Sequence, residues 1–307
     1  MSNTLTDDFE RFVKEISLDK SKVDDIIAKH NGLTDMIKSN PPDGYSIKKS
    51  RLSGSYAKHT VLNEYDKNKK PDVDVIVILD GSSLDVDKVN KDFFNYFQEK
   101  KATVVSEIRQ QSNSIGLIYS NIGVDIVLAL DSGNNNISIA SNKMHDWIDS
   151  NALKHVEYME KQNGKYEAFS YYSLMKLFKY LNKEIFKYKL KSFTLEQLVH
   201  QCAPAPKIGL RLYQAFEQTI NNIANLGSID EIRDCCDESK KGYDEKDKPY
   251  FNLFLTQARD YSKLASDAVH GDRTKWEEIF GDRFPKQPSK KVINEANYDK
   301  KQTPWCY

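Results

Sequence analysis

The chain lacks a net charge, a long apolar run, a cysteine motif and any abundance of glycine or proline. In its 307 residues, 45 Lys and Arg are balanced by 45 Asp and Glu. A protein whose main task is to coat DNA carries a basic excess, so composition gives no electrostatic case for that class. No apolar stretch approaches the ~20 residues that span a bilayer, and the polar opening MSNTLTDDFERFVKE has no signal core. The expectation is a cytoplasmic protein with no membrane span. Only four cysteines occur: Cys202, Cys235, Cys236 and Cys306. They form no CxxC pair and have no His at a metal-ligand spacing. Isolated thiols in a reducing compartment are therefore expected, rather than zinc or a disulfide frame. With 13 Gly, 9 Pro and 29% charged residues, the chain reads as soluble, globular and helix-rich, long enough for two lobes with cores of their own.

The patterning divides in two. Thr6 is expected to cap a first helix to Lys14 with Phe9, Phe12, Val13 and Ile16 as its stripe, and Asp19 a second that stops at Asn40-Pro41-Pro42. The period then changes. Residues 72–79 are β-rich, 85–100 have helical spacing, and 103–109, 114–120 and 122–130 follow as a predicted antiparallel meander closed by a Gly-Asn-Asn-Asn loop at 133–136. Beyond Trp147 the spacing is helical, with helices expected at 151–162, 167–186, 194–202, 208–225, 229–236, 249–269 and 273–280. The fold class is α+β: a lobe with a mixed or antiparallel sheet at 1–148, a helical lobe at 149–285, and a polar tail at 286–307. A cleft between two lobes is a common place for a small-molecule site.

Three aspartates carry the chemistry. Side chains two apart on a strand point the same way, so Asp72 and Asp74 present paired carboxylates while Val73 and Val75 face the core. Such a pair is costly unless a cation or a proton lies between, and Mg2+ is the hard cation that prefers oxygen. Asp125 is the only charge in the run 122–130. If its strand lies beside the first, three carboxylates converge and can hold two metals about 4 Å apart, the arrangement that activates a hydroxyl and stabilises a leaving pyrophosphate. Asp125 is the expected general base. Upstream, Gly54-Ser55 offers a close backbone approach and a hydroxyl to a phosphate. Alone, Gly-Ser is more often a turn, and Asp-x-Asp at a strand start is more often a solvated edge. The specificity lies in their order and spacing.

The segments GSYAKHT (54–60), DVDVIVIL (72–79), VDIVLAL (124–130), LMKLFKYLN (174–182), LKSFTLEQLV (190–199) and WEEIFGDRFP (276–285) together resemble the polymerase-β-like nucleotidyltransferases, and more narrowly the bacterial relatives of cyclic GMP-AMP synthase. The last three are not expected in antibiotic-modifying or tRNA-tailing relatives. The resemblance implies that Gly54 and Ser55 hold a donor triphosphate. It implies that Asp72, Asp74 and Asp125 hold two Mg2+ ions, with Mn2+ an alternative, and that Lys179 and Ser192 reach the triphosphate. Phe193 would lie against a base, and Tyr171, Tyr172 and Phe193 would wall the pocket. Without the resemblance, Lys179 reads as a solvated helix face and Phe193 as core. His59 stands where many members carry the second Gly of GSYxxGT.

The activity so implied is synthesis of a cyclic di- or trinucleotide from NTPs, ATP among them, as a second messenger in bacterial anti-phage signalling. A downstream effector protein responds to the product, and the C-terminus is open to conjugation by a ubiquitin-transfer-like partner. No DNA activator is expected, since the zinc-binding insertion of the animal sensor has no counterpart. Two alternatives stand beside this: a transferase making a linear product or modifying tRNA or protein, and a catalytically dead binding module. Retention of three mutually repelling carboxylates argues against the last.

Overall fold

The computed structural model describes residues 4–63, 70–81, 83–100, 105–187 and 190–286. The tail expected at 286–307 and Cys306 lie outside them, except for Lys286. Two helices open the chain, α1 (Leu5–Ile16) and α2 (Lys20–Ser39). The cap of α1 is Thr4, not Thr6. Thr4 accepts from the Asp7 amide while the Asp7 carboxylate accepts from the Thr4 amide, a reciprocal pair that Thr6 could form only with an acid at residue 9, where Phe9 stands. Asp19 caps α2 as expected.

The sheet is seven-stranded and mixed. Its strands are β1 (Ile47–Ser53), β2 (Asp72–Leu79), β3 (Val105–Gln110), β4 (Ile115–Tyr119), β5 (Gly123–Gly133), β6 (Asn136–Ser141) and β7 (Asp146–Ser150). A single helical turn, α3 (Gly54–Ala57), follows β1, and α4 (Val86–Glu99) crosses from β2 to β3. The strands β3, β4 and β5 form the expected antiparallel meander, and β5 lies parallel to β2. Residues 133–136 do not close the lobe. Asn134 and Asn135 take positive φ values of 52° and 56° in a tight hairpin turn that leads into β6, and β7 follows. Val73, Val75, Ile76, Val77, Ile78 and Leu79 are all buried, because β2 is covered on one face by α2 and α4 and on the other by α5 (Ala152–Asn163).

The remaining chain is mostly helical: α6 (Tyr171–Tyr180), a wider π-helical turn at Leu181–Ile185, α7 (Ser192–Cys202), α8 (Leu212–Ala224), α9 (Lys248–Val269) and α10 (Thr274–Phe280). The helix expected at 229–236 is instead a short 3-10 turn and a hairpin of β8 (Arg233–Asp234) and β9 (Asp237–Lys241). Ile229 and Ile232 are both buried, so the turn reproduces a helical spacing without a helix. The apolar stripe of α1 enters this helical core, not the sheet. Phe9 meets Trp276 edge-on at 4.9 Å and Phe284 at 5.3 Å, and Phe12 meets Phe280 at 4.9 Å. The closing motif WEEIFGDRFP thus holds the start of the chain.

Candidate active site

Asp74 and Asp125 are register partners on the parallel strands β2 and β5, and Asp72 pairs with Gly123. Alternation puts Asp72 and Asp74 on one face, and Asp125 joins them from the neighbouring strand. The cost of gathering them shows in their acidities. Burial and the Asp72 charge push the Asp74 carboxyl up, against Lys58 and Lys179. Burial, then Asp74 and Asp72, push Asp125 up to about 6.

Three glycines make room for these carboxylates. A Cβ on Gly54 would lie 1.7 Å from Asp74 Oδ2, and one on Gly123 would lie 2.3 Å from Asp72 Oδ1. One on Gly116 would lie 3.2 Å from Asp125 Oδ1. Gly54 also has a φ of +63°. Gly116 and Gly123 escaped the sequence reading, although a glycine inside a strand marks a close approach. Gln111 escaped it too; its Nε2 donates to Asp125 Oδ1 at 3.0 Å. The donor set is three carboxylates, with Asp74 and Asp125 both raised by burial and by neighbouring carboxylate charge, in a space kept clear of side chains. It fits a hard divalent cation.

A cleft of about 410 Å³ beside them is lined by Ser55, Thr60, Asp72, Lys179, Lys183 and Ser192 among others. A larger cavity of about 920 Å³ between α2 and α5 touches none of the three aspartates. The carboxylates, not size, single out the smaller cleft.

Two of the cleft's lining residues, Thr60 and Lys179, belong to an ion network that sequence reasoning missed. Glu196 on α7 is buried between Lys58, from the segment after α3, and Lys179 on α6, whose Nζ lies 2.8 Å from Glu196 Oε1. Lys179 Nζ also donates to Thr60 Oγ1 at 2.7 Å. Burial works to raise the Glu196 carboxyl, but the two ammonium groups outweigh it and hold it well below the usual range. The network ties the GSYAKHT segment to the helical layer. Lys179 is therefore a buried, paired cation, not a solvated one.

Other expected wall residues are elsewhere. Phe193 packs against His155, with ring centroids 5.6 Å apart, and is not among the residues that line the cleft. Tyr171 is core, stacked between Tyr166 and His200. Tyr172 packs on His59 at 4.9 Å. His59 itself has a φ of 56°, a conformation glycine adopts freely, which accounts for the glycine in the family pattern.

A family model described as the Second Messenger Oligonucleotide or Dinucleotide Synthetase domain matches residues 3–163. A cyclic AMP-AMP-AMP synthase of an Acinetobacter species is 22% identical over 245 residues, covering 75% of this chain and 69% of that protein. CdnC of E. coli MS115-1, solved with ATP, superposes with a TM-score of 0.66 at 18% identity, over 91% of this chain and 98% of that one. CdnG of Bradyrhizobium diazoefficiens, a CD-NTase solved with GTP, gives 0.67 at 13% identity, over 92% and 96%.

Proposed function

This chain belongs to the Second Messenger Oligonucleotide or Dinucleotide Synthetase family, and from that premise we propose that it joins NTPs into a cyclic di- or trinucleotide with release of pyrophosphate, as a signal in anti-phage defence. The observation that carries the reading is the meeting of Asp72, Asp74 and Asp125 beside glycines that leave their oxygens clear. ATP is the first substrate to test, given the Acinetobacter relative's name and the ATP-bound CdnC.

On this reading Asp72, Asp74 and Asp125 hold two Mg2+ ions, which Mn2+ can replace. Bound there, the ions supply charge neutralisation at the attacking and leaving oxygens. The protein's own groups do the rest. Gly54 and Ser55 let the backbone and a hydroxyl reach the triphosphate. Ser192 approaches from the first turn of α7, and Lys179 offers a point charge from below. Gln111 fixes Asp125 Oδ1, which leaves Oδ2 to take the proton of the acceptor hydroxyl. A turn of the linear intermediate within the cleft brings its free hydroxyl to the second triphosphate and closes the ring.

The proposed division of labour is a catalytic lobe at 1–148, of which α1 packs into the helical core and β7 runs on to Ser150, a lobe that closes over nucleotide at 149–285, and a tail at 286–307 for a conjugating partner. The product acts on a separate effector protein. Among the described residues no helix is long and apolar enough to cross a membrane, and a cytoplasmic site of action follows from the need for NTPs.

The test is incubation of the purified chain with NTP mixtures and Mg2+ or Mn2+, followed by phosphatase. A phosphatase-resistant small product is expected, and its loss in the Asp72→Ala/Asp74→Ala variant. A phosphatase-sensitive linear product would instead indicate the linear-transferase alternative. Absence of turnover with every mixture, including with lysate from phage-infected cells, would indicate a dead module.

A further inference from the structure

Away from the cleft, the β8–β9 hairpin and α5 bring four metal-binding side chains together. Asp234 ends β8, and Cys235 and Cys236 form the turn that joins it to Asp237. His155, far upstream on α5, faces them. His155 Nε2 lies 2.9 Å from Asp234 Oδ1, and the two sulfurs are 3.8 Å apart. One ligand atom from each of the four lies within 4.8 Å of the others.

We propose that His155, Asp234, Cys235 and Cys236 bind a structural zinc-type ion that pins the hairpin to α5.

The spacing is the first support. Two thiolates about 2.3 Å from a tetrahedral zinc stand about 3.8 Å apart, which is the separation found here. A disulfide would need about 2.05 Å, so these are two thiols. The ligand set is the second. Two sulfurs with an imidazole and a carboxylate suit a borderline-soft dication, not the hard ion of the carboxylate site.

The third support is that the cluster is built rather than fortuitous. The side chains of His155 and Asp234 are only 11% and 6% exposed. Gln197 on α7 is buried, and its Oε1 accepts the Cys235 amide at 2.8 Å. Asp234 Oδ1 accepts the Cys236 amide at 2.7 Å. Outer hydrogen bonds of this kind hold ligands in place. Because α7 also carries Ser192 and Glu196, the ion would brace the helix that forms one wall of the cleft.

The experiment uses the full chain, purified under reducing conditions with zinc in the growth medium and then desalted. About one zinc per chain is expected, retained in Cys202→Ser and lost in Cys235→Ser/Cys236→Ser. Replacement by Co2+ should give intense visible bands of a tetrahedral site together with thiolate-to-cobalt charge transfer. Cobalt in the carboxylate site would give only weak bands and no charge transfer, so the two sites are read separately. If the double variant aggregates, the wild-type cobalt spectrum decides alone. A reduced wild-type chain that retains no zinc and shows no thiolate-to-cobalt band overturns the proposal. So does a metal content unchanged by the double substitution. Recovery of the two cysteines as a vicinal disulfide in reduced, zinc-supplied protein overturns it as well.

Discussion

Replacing Glu196 by Gln keeps the side chain's shape and removes the negative charge paired directly with two buried ammonium groups. Lys58 and Lys179 are 11% and 10% exposed and Glu196 4%, so solvent does little to screen them. Breaking a buried ion pair by neutralising one partner typically costs about 3–5 kcal/mol. The amide oxygen of Gln can still accept from one lysine, so we expect the lower end, about 3 kcal/mol. Urea unfolding of the nucleotide-free protein, followed by tryptophan fluorescence, measures it. Glu196 has a depressed folded pKa, so its contribution is present above its ordinary value of 4.5 and is lost only as pH falls through the lower folded value. The deficit of the variant should therefore be flat from about pH 6 to about pH 8. Adding Lys58→Met should recover about half of it by removing one of two like charges. ATP should also raise the melting temperature of Glu196→Gln more than that of the wild type, because the triphosphate supplies the missing charge. A deficit below about 1 kcal/mol, or no recovery with Lys58→Met, would refute the reasoning.

Gly123→Ala would place a Cβ 2.3 Å from Asp72 Oδ1, the tip of an exposed side chain that can swing aside. The fold should survive while product formation falls on the order of 100-fold, read as turnover beside an unchanged circular dichroism spectrum. Trp276→Ala opens the contact that holds Phe9, and should cost about 3–5 kcal/mol in urea unfolding. In metal-free protein the raised Asp125 carboxyl takes up a proton as pH falls through about 6. Mn2+ affinity measured by calorimetry should weaken below that pH and level off above it.

The parts of the fold set by local pattern were legible in the sequence. The run 72–79 reads as a buried strand because β-branched residues fill it, and it is β2 from end to end. The strand β5 was visible through the apolar run 122–130, and the single charge within that run marked Asp125. Long-range contact decided what was missed. Nothing near Lys58 signals that Glu196, 138 residues away, neutralises it. The pairing of His155 with Cys235 and Cys236 is likewise invisible along the chain. The β8–β9 hairpin turns on two cysteines rather than on Asn or Gly, so the usual turn signal is absent. Phe193 looked like a wall residue through its place in the motif, but its position on α7 turns it toward His155.

The central claim is that Asp72, Asp74 and Asp125 jointly hold the divalent ions between which nucleotides are joined. Anomalous scattering from crystals grown with Mn2+ and a non-hydrolysable ATP analogue tests it most directly. Two peaks about 4 Å apart, each bonded to oxygens of these three residues and to the triphosphate, are expected. Peaks elsewhere, or a triphosphate bound away from the three carboxylates, would contradict it.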